Sequence, residues 1–83
     1  QVIRQGERHP HLHLVQGMLR ALAETYGSIG TPSSSGILDE ATADSLASFQ
    51  ALSSLPMTGT LDKHTWRHLA LQYPLAANLM THR

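Results

Sequence analysis

Eighty-three residues with six acidic and six Lys/Arg side chains carry a formal net charge of zero, which leaves no electrostatic footprint for nucleic acid, and no apolar run approaches the roughly 20 residues of a membrane span. The absence of cysteine removes disulfides, thiolate zinc sites and a cysteine nucleophile, so a core near the lower size limit rests on packing or on a larger parent. Six histidines against a single lysine mean that acidification through the ordinary imidazole range, about pH 6.5, swings the net charge positive.

Leu12, Val15, Leu19, Leu22 and Tyr26 recur three or four apart, an apolar stripe widened by Met18 and Ala23 that predicts a helix over 12–26. Pro10 suits its first turn, and Gly17 within it implies a close neighbour on that side. The segment 26–36, YGSIGTPSSSG, reads as a loop inside one domain. Helical spacing returns over 40–52 with Ala43, Leu46, Phe49 and Leu52, and SLPMTG closes that helix. A third helix is expected over 63–72 with Trp66, Leu69 and Tyr73 inward, stopped by Pro74. Residues 74–83 are expected to form a C-terminal tail or linker, or a short helix, beyond a domain of 1–73. Period-two alternation is too short for a strand, although residues around Ile37 and Thr60 could pair briefly. The fold expectation is all-α, a small three-helix bundle.

One pattern occurs twice. GILDEATADSL and GTLDKHTWRHL share Gly36/Gly59, Leu38/Leu61, Asp39/Asp62, Thr42/Thr65 and Leu46/Leu69, 23 residues apart. Each Asp precedes a helical pattern, where its carboxylate accepts first-turn N–H groups and faces the positive end of the helix dipole. Each Thr stands where a capping box reaches back to the cap residue. Leu61 is placed to staple onto Trp66, with Leu38 and Ala43 as the weaker counterpart. The heptad is read as a device for starting helices, not as an active site.

The same residues carry a resemblance. Gly6, His9, Leu12, Val15, Gln16 and Leu19 follow the opening G-x-x-G-x-x-V-x-x-L-Q-x-x-L of the bacterial peptidoglycan-binding domain of the three-helix, PGBD-like type. Gly36, Leu38, Asp39, Thr42, Ser45, Leu46, Phe49 and Gln50 follow its G-x-F-G-x-x-T-x-x-A-V-x-x-F-Q. Ser54, Leu55, Thr58, Gly59, Asp62, Thr65, Trp66 and Leu69 follow its G-L-x-x-D-G-x-x-G-x-x-T-W-x-x-L. The resemblance spans residues 3–72. His9, Asp39, Ser54 and Asp62 stand where the family has Gly, and Thr58 where it has Asp.

The resemblance implies a non-catalytic cell-wall module, a kind of carbohydrate-binding module, that anchors a larger envelope or cell-wall-lytic protein. It implies an extracellular or cell-envelope location in a bacterium and a covalently linked catalytic domain. The first residue, Gln1, with no initiator Met or signal peptide, fits a piece of such a parent. The implied ligand is peptidoglycan, through its glycan or stem peptide, and no cofactor or nucleic acid is expected. Prodomains of secreted metalloproteases share the fold but act through a Cys that this chain lacks. The alternative is a protein–protein or intramolecular docking module of the same fold without wall binding.

Candidate chemistry elsewhere is sparse. His9, His11 and His13, and the pair His64 and His68, have partial metal-ligand spacing, but no third protein ligand is apparent for the helical pair, so no metal site is assigned. His64 and His68 lie opposite Trp66 on the helical wheel and are expected in solvent. No G-x-S-x-G or H-E-x-x-H motif occurs, and the six acidic residues are accounted for by caps and surface, so no catalytic residue is assigned. Phe49 is read as core, and so is Trp66, although its indole N–H calls for a polar partner. Gln16 and Gln50 sit at the edge of the buried stripe, where they either bond a neighbouring cap or line a groove. The tentative ligand-binding residues are Thr42, Gln50, Thr58, Thr65 and Trp66, around a groove formed by the 28–36 loop and the starts of helices two and three.

Overall fold

The computed structural model describes residues 2–81, with side chains as far as Pro74. Three helices follow in order, α1 (His11–Thr25), α2 (Glu40–Leu52) and α3 (Lys63–Thr81), and the described residues form no strand longer than an isolated bridge. The α1 stripe is the centre of the core. Leu12, Val15, Leu19 and Leu22 are fully buried, with Leu46 and Phe49 from α2 and Leu69 from α3. Trp66 and Tyr73 pack against this cluster from α3 while staying partly open. Leu52, the last residue of α2, departs from the expected stripe and is half exposed.

The connecting segments also contribute to the core. Ile3, Ile29, Leu38 and Leu61 are buried, all outside the helices. The N-terminal segment lies across the starts of both later helices through two antiparallel bridges, Ile3 with Leu61 and Arg8 with Ile37. Ile3 and Leu61 exchange both backbone hydrogen bonds, at 2.8 and 2.9 Å, and Leu38 N donates to Glu7 O at 2.9 Å. The brief pairing expected near Ile37 and Thr60 therefore takes the N-terminal segment as its partner. The 28–36 loop is tied down on α1, where Arg20 Nη2 donates to Pro32 O and to Ser34 Oγ at 3.0 and 2.9 Å.

Two local expectations are corrected. The third helix does not stop at Pro74; its backbone remains helical to Thr81. Proline there removes one helical N–H, whose acceptor would have been the Ala70 carbonyl, and both residues are exposed, so that carbonyl is not buried without a partner. Gly17 has no close neighbour, since a Cβ added there meets nothing within 4 Å.

Three positions carry avoidable cost. Gly17 is an exposed glycine inside α1. Ser54 adopts φ 60 after α2, where Leu55 N returns to Gln50 O at 2.8 Å, a left-handed helix end that favours glycine. The Ser45 hydroxyl is buried with no partner among the described residues. Gly17→Ala, Ser54→Gly and Ser45→Ala should each raise unfolding free energy by about 1 kcal/mol in urea titrations.

Candidate functional site

The repeated heptads build two nearly identical polar cradles. In the first, Gln16 of α1 is 1 % exposed; its Oε1 accepts from Gly36 N at 2.9 Å. Its Nε2 lies within bonding distance of Thr42 Oγ1 (2.9 Å), Ile37 O (3.1 Å) and Ser33 Oγ (3.3 Å). In the second, Gln50 of α2 is equally buried, and its Oε1 accepts from Gly59 N at 3.0 Å. Its Nε2 reaches Thr65 Oγ1 (2.9 Å), Thr60 O (3.1 Å) and Thr58 Oγ1 (3.1 Å). Gly36 and Gly59 have φ of 77 and 70, the left-handed turn that points each N–H at its glutamine.

Each cradle ends in a helix cap. Asp39 Oδ1 accepts from Thr42 N at 2.9 Å and Asp62 Oδ1 from Thr65 N at 2.8 Å. The reciprocal arm of a capping box does not form at Asp39, whose N–H bonds Ile37 O at 2.7 Å while the Thr42 hydroxyl serves Gln16. Asp39 also accepts from the hydroxyls of Ser33 and Ser35, at 2.5 and 2.8 Å. These donors, Ser33 foremost, hold its carboxyl far below the usual carboxylate range. The Thr65 N–H does the same for Asp62 to a smaller degree, against a partial burial that raises it.

Of the five tentative contact residues, Thr42, Gln50 and Thr65 are therefore buried, with the polar atoms described above turned inward. Thr58 is exposed and also shares a hydroxyl bond with Thr60 at 2.9 Å. Its hydroxyl accepts from Gln50 Nε2. Trp66 is half-buried and faces a groove.

That groove lies between the N-terminal segment and the first turn of α3. It measures about 380 Å³ and is lined by Ile3, His9, His11, Leu61, Asp62, Lys63 and Trp66. The expected groove shares only the α3 start with it; the 28–36 loop lies elsewhere, clamped to α1. The His11 ring stacks on the indole of Trp66 with centroids 6.2 Å apart and an interplanar angle of 26°. His9 meets His11 edge-on at 5.0 Å, and its Nδ1 accepts from His11 N at 3.1 Å, capping an α1 start that Pro10 leaves without a side-chain bond. The first cradle has no matching aromatic wall, because Ala43 occupies the place of Trp66 and lies under the Gly59 turn. A Cβ on Gly59 would sit 3.3 Å from the Ala43 carbonyl oxygen.

Sequence reading missed the N-terminal side of this groove. The H-x-H spacing of His9 and His11 was a signal, but it pointed to metal, and among the described residues no group of three or more His, Asp or Glu is arranged to hold an ion. His64 is exposed as expected, whereas His68 is half-buried, its Nδ1 3.0 Å from His64 O in a second hollow with Tyr26, Leu52 and Leu71.

With helices, caps and groove in place, a comparison with protein families is decisive. The model described as "Putative peptidoglycan binding domain" matches residues 8–69, most of the chain. The chain belongs to this family. No curated protein and no solved structure matches it. In this peptidoglycan-binding domain, the matched span covers both cradles and the His11–Trp66 wall, and the bridge at Ile3 lies before it.

The cradles set two measurable properties. Gln50→Leu leaves Gly59 N, Thr60 O and the Thr65 hydroxyl without their partner, so it should lower stability by roughly 2–3 kcal/mol in chemical denaturation. A depressed folded-state carboxyl stabilises the fold above its unfolded value and loses that contribution as pH falls toward the folded one. Melting temperature should thus drop steadily below about pH 4, and Asp39→Asn should flatten that acid limb while lowering stability at pH 7.

Proposed function

We propose that this domain is a non-catalytic wall-binding module that holds peptidoglycan in the groove between its N-terminal segment and α3. The observation that carries the reading is the His11–Trp66 stack, a pair of aromatic rings lining a groove on a member of a peptidoglycan-binding family. Flat rings present an apolar surface that suits the faces of sugars, and the stack rests on a helix start made rigid by Gln50 and Asp62.

Trp66 is then a direct contact and Thr58 a neighbouring one, while Thr42, Gln50 and Thr65 act by shaping the turns. The groove is shallow and a single module binds weakly, so its use is to concentrate a larger envelope or cell-wall-lytic protein, with its linked catalytic domain, on the wall. The setting is the extracellular face or envelope of a bacterium, with residues 1–73 as the binding unit and 74–83 as the lead toward the rest of the parent. A docking role without wall binding is favoured by one feature, the second hollow, where Leu52 and Leu71 are 50 % and 62 % exposed.

Sedimentation with purified sacculi separates the two readings. The chain should pellet with the wall, and His11→Ala, an exposed position, should weaken retention roughly three- to tenfold without lowering the melting temperature. The assay is run at pH 7.5 and at pH 5.5. A chain that stays in the supernatant at both pH values overturns wall binding.

A further inference from the structure

We propose that His9 is a positioning residue for the groove: its uncharged ring holds His11 against Trp66, and protonation of that ring releases the contact and weakens wall binding in acid. The proposal rests on the wall-binding reading and adds control of the same site by pH.

His9 is pinned at the start of α1 by three hydrogen bonds. Its N–H donates to Gly36 O at 3.4 Å, its carbonyl accepts from Leu12 N at 3.0 Å, and its Nδ1 accepts from His11 N at 3.1 Å. The last bond replaces a helix cap, because Pro10, in the cap position, makes no side-chain bond. It also sets the wall of the groove. The His9 ring meets the His11 ring edge-on at 5.0 Å, and the His11 ring stacks on Trp66 at 6.2 Å, so the three rings form a row. All three residues line the same hollow.

A backbone N–H can only donate, so the His9 nitrogen facing it presents a lone pair, with the ring proton on Nε2. Imidazolium carries a proton on both nitrogens and has no acceptor. Protonation of His9 therefore sets its Nδ1–H against the His11 N–H, donor against donor, beside the positive end of the α1 dipole. The ring leaves that position, and the edge contact that backs His11 goes with it. His68 shows the opposite arrangement. Its Nδ1 lies 3.0 Å from the His64 carbonyl, which can only accept, so that bond survives protonation.

Around His9 stand His11 and His13 on α1, Asp62 and Lys63 on α3, and Glu7 and Arg8 in the N-terminal segment. The two carboxylates and the two cations offset one another, so the hydrogen bond decides the outcome. Of these side-chain types only imidazole ordinarily changes charge between about pH 5 and pH 8.

The test follows the free chain by NMR across that range and, in parallel, sediments it with sacculi at pH 7.5 and at pH 5.5. The His11 amide and the Trp66 indole N–H should shift with the midpoint of the His9 ring carbons. Wall retention should fall about threefold between the two pH values. His9→Asn supplies a carboxamide oxygen that accepts from the N–H two residues on at any pH. That variant should keep the retention measured at pH 7.5 and lose the fall at pH 5.5, although His11 still titrates in it. His9→Ala should bind weakly at both values, and His68→Asn should leave the acid fall intact. A His11 amide that ignores the His9 midpoint, equal retention of the unmutated chain at both values, or an acid fall unchanged in His9→Asn overturns the proposal, while retention at pH 7.5 leaves wall binding standing. A chain that sediments at neither value removes both.

Discussion

Two buried primary amides hold this small domain together. A glutamine side chain is a peptide group on a tether, and Gln16 and Gln50 each use it as a splint between one helix and the start of the next. Each satisfies a turn N–H, a turn carbonyl and a threonine hydroxyl that would otherwise be buried without partners. Without cysteine or metal, such splints let a short chain fix its turns as firmly as its helices. Phe49 and the leucines of α1 supply the apolar drive, but they do not specify where α2 and α3 begin.

The groove is a by-product of how unequally the two copies are covered. Both heptads turn through a left-handed glycine, cap with Asp and bury a Thr. In the first, Ala43 lies beneath the turn of the second, so that copy is closed off. In the second, Trp66 has no turn above it, and the first residue of α1, His11, stacks against it. A duplicated structural device thus leaves one aromatic wall lining a groove, on a domain that belongs to a peptidoglycan-binding family.

Much of the architecture was legible from local patterns. The stripes of α1 and α2, the Asp caps and the inward Phe49 follow from side-chain spacing and first-turn chemistry, which act over a few residues. The candidate site was less legible. Thr42, Gln50 and Thr65 match the family motif because they build turns, and a motif does not separate a residue that touches ligand from one that supports it. Trp66 lines the groove, but its stacking partner His11 was not legible, since 55 residues separate them in the chain and only the packing of α1 against α3 brings them together.

Pro74 shows the limit from the other side. A proline rule stops the helix, yet Pro74 and Ala70 are exposed, so the lost bond leaves no buried carbonyl and the backbone continues. The pair GILDEAT and GTLDKHT by itself determined that two helices start in the same way, because capping and left-handed turns depend on near neighbours alone. Tertiary structure decided which copy stays open and which side chains face each other across it. Those outcomes depend on how distant segments share space around Ala43 and Trp66, and no local pattern carries that information.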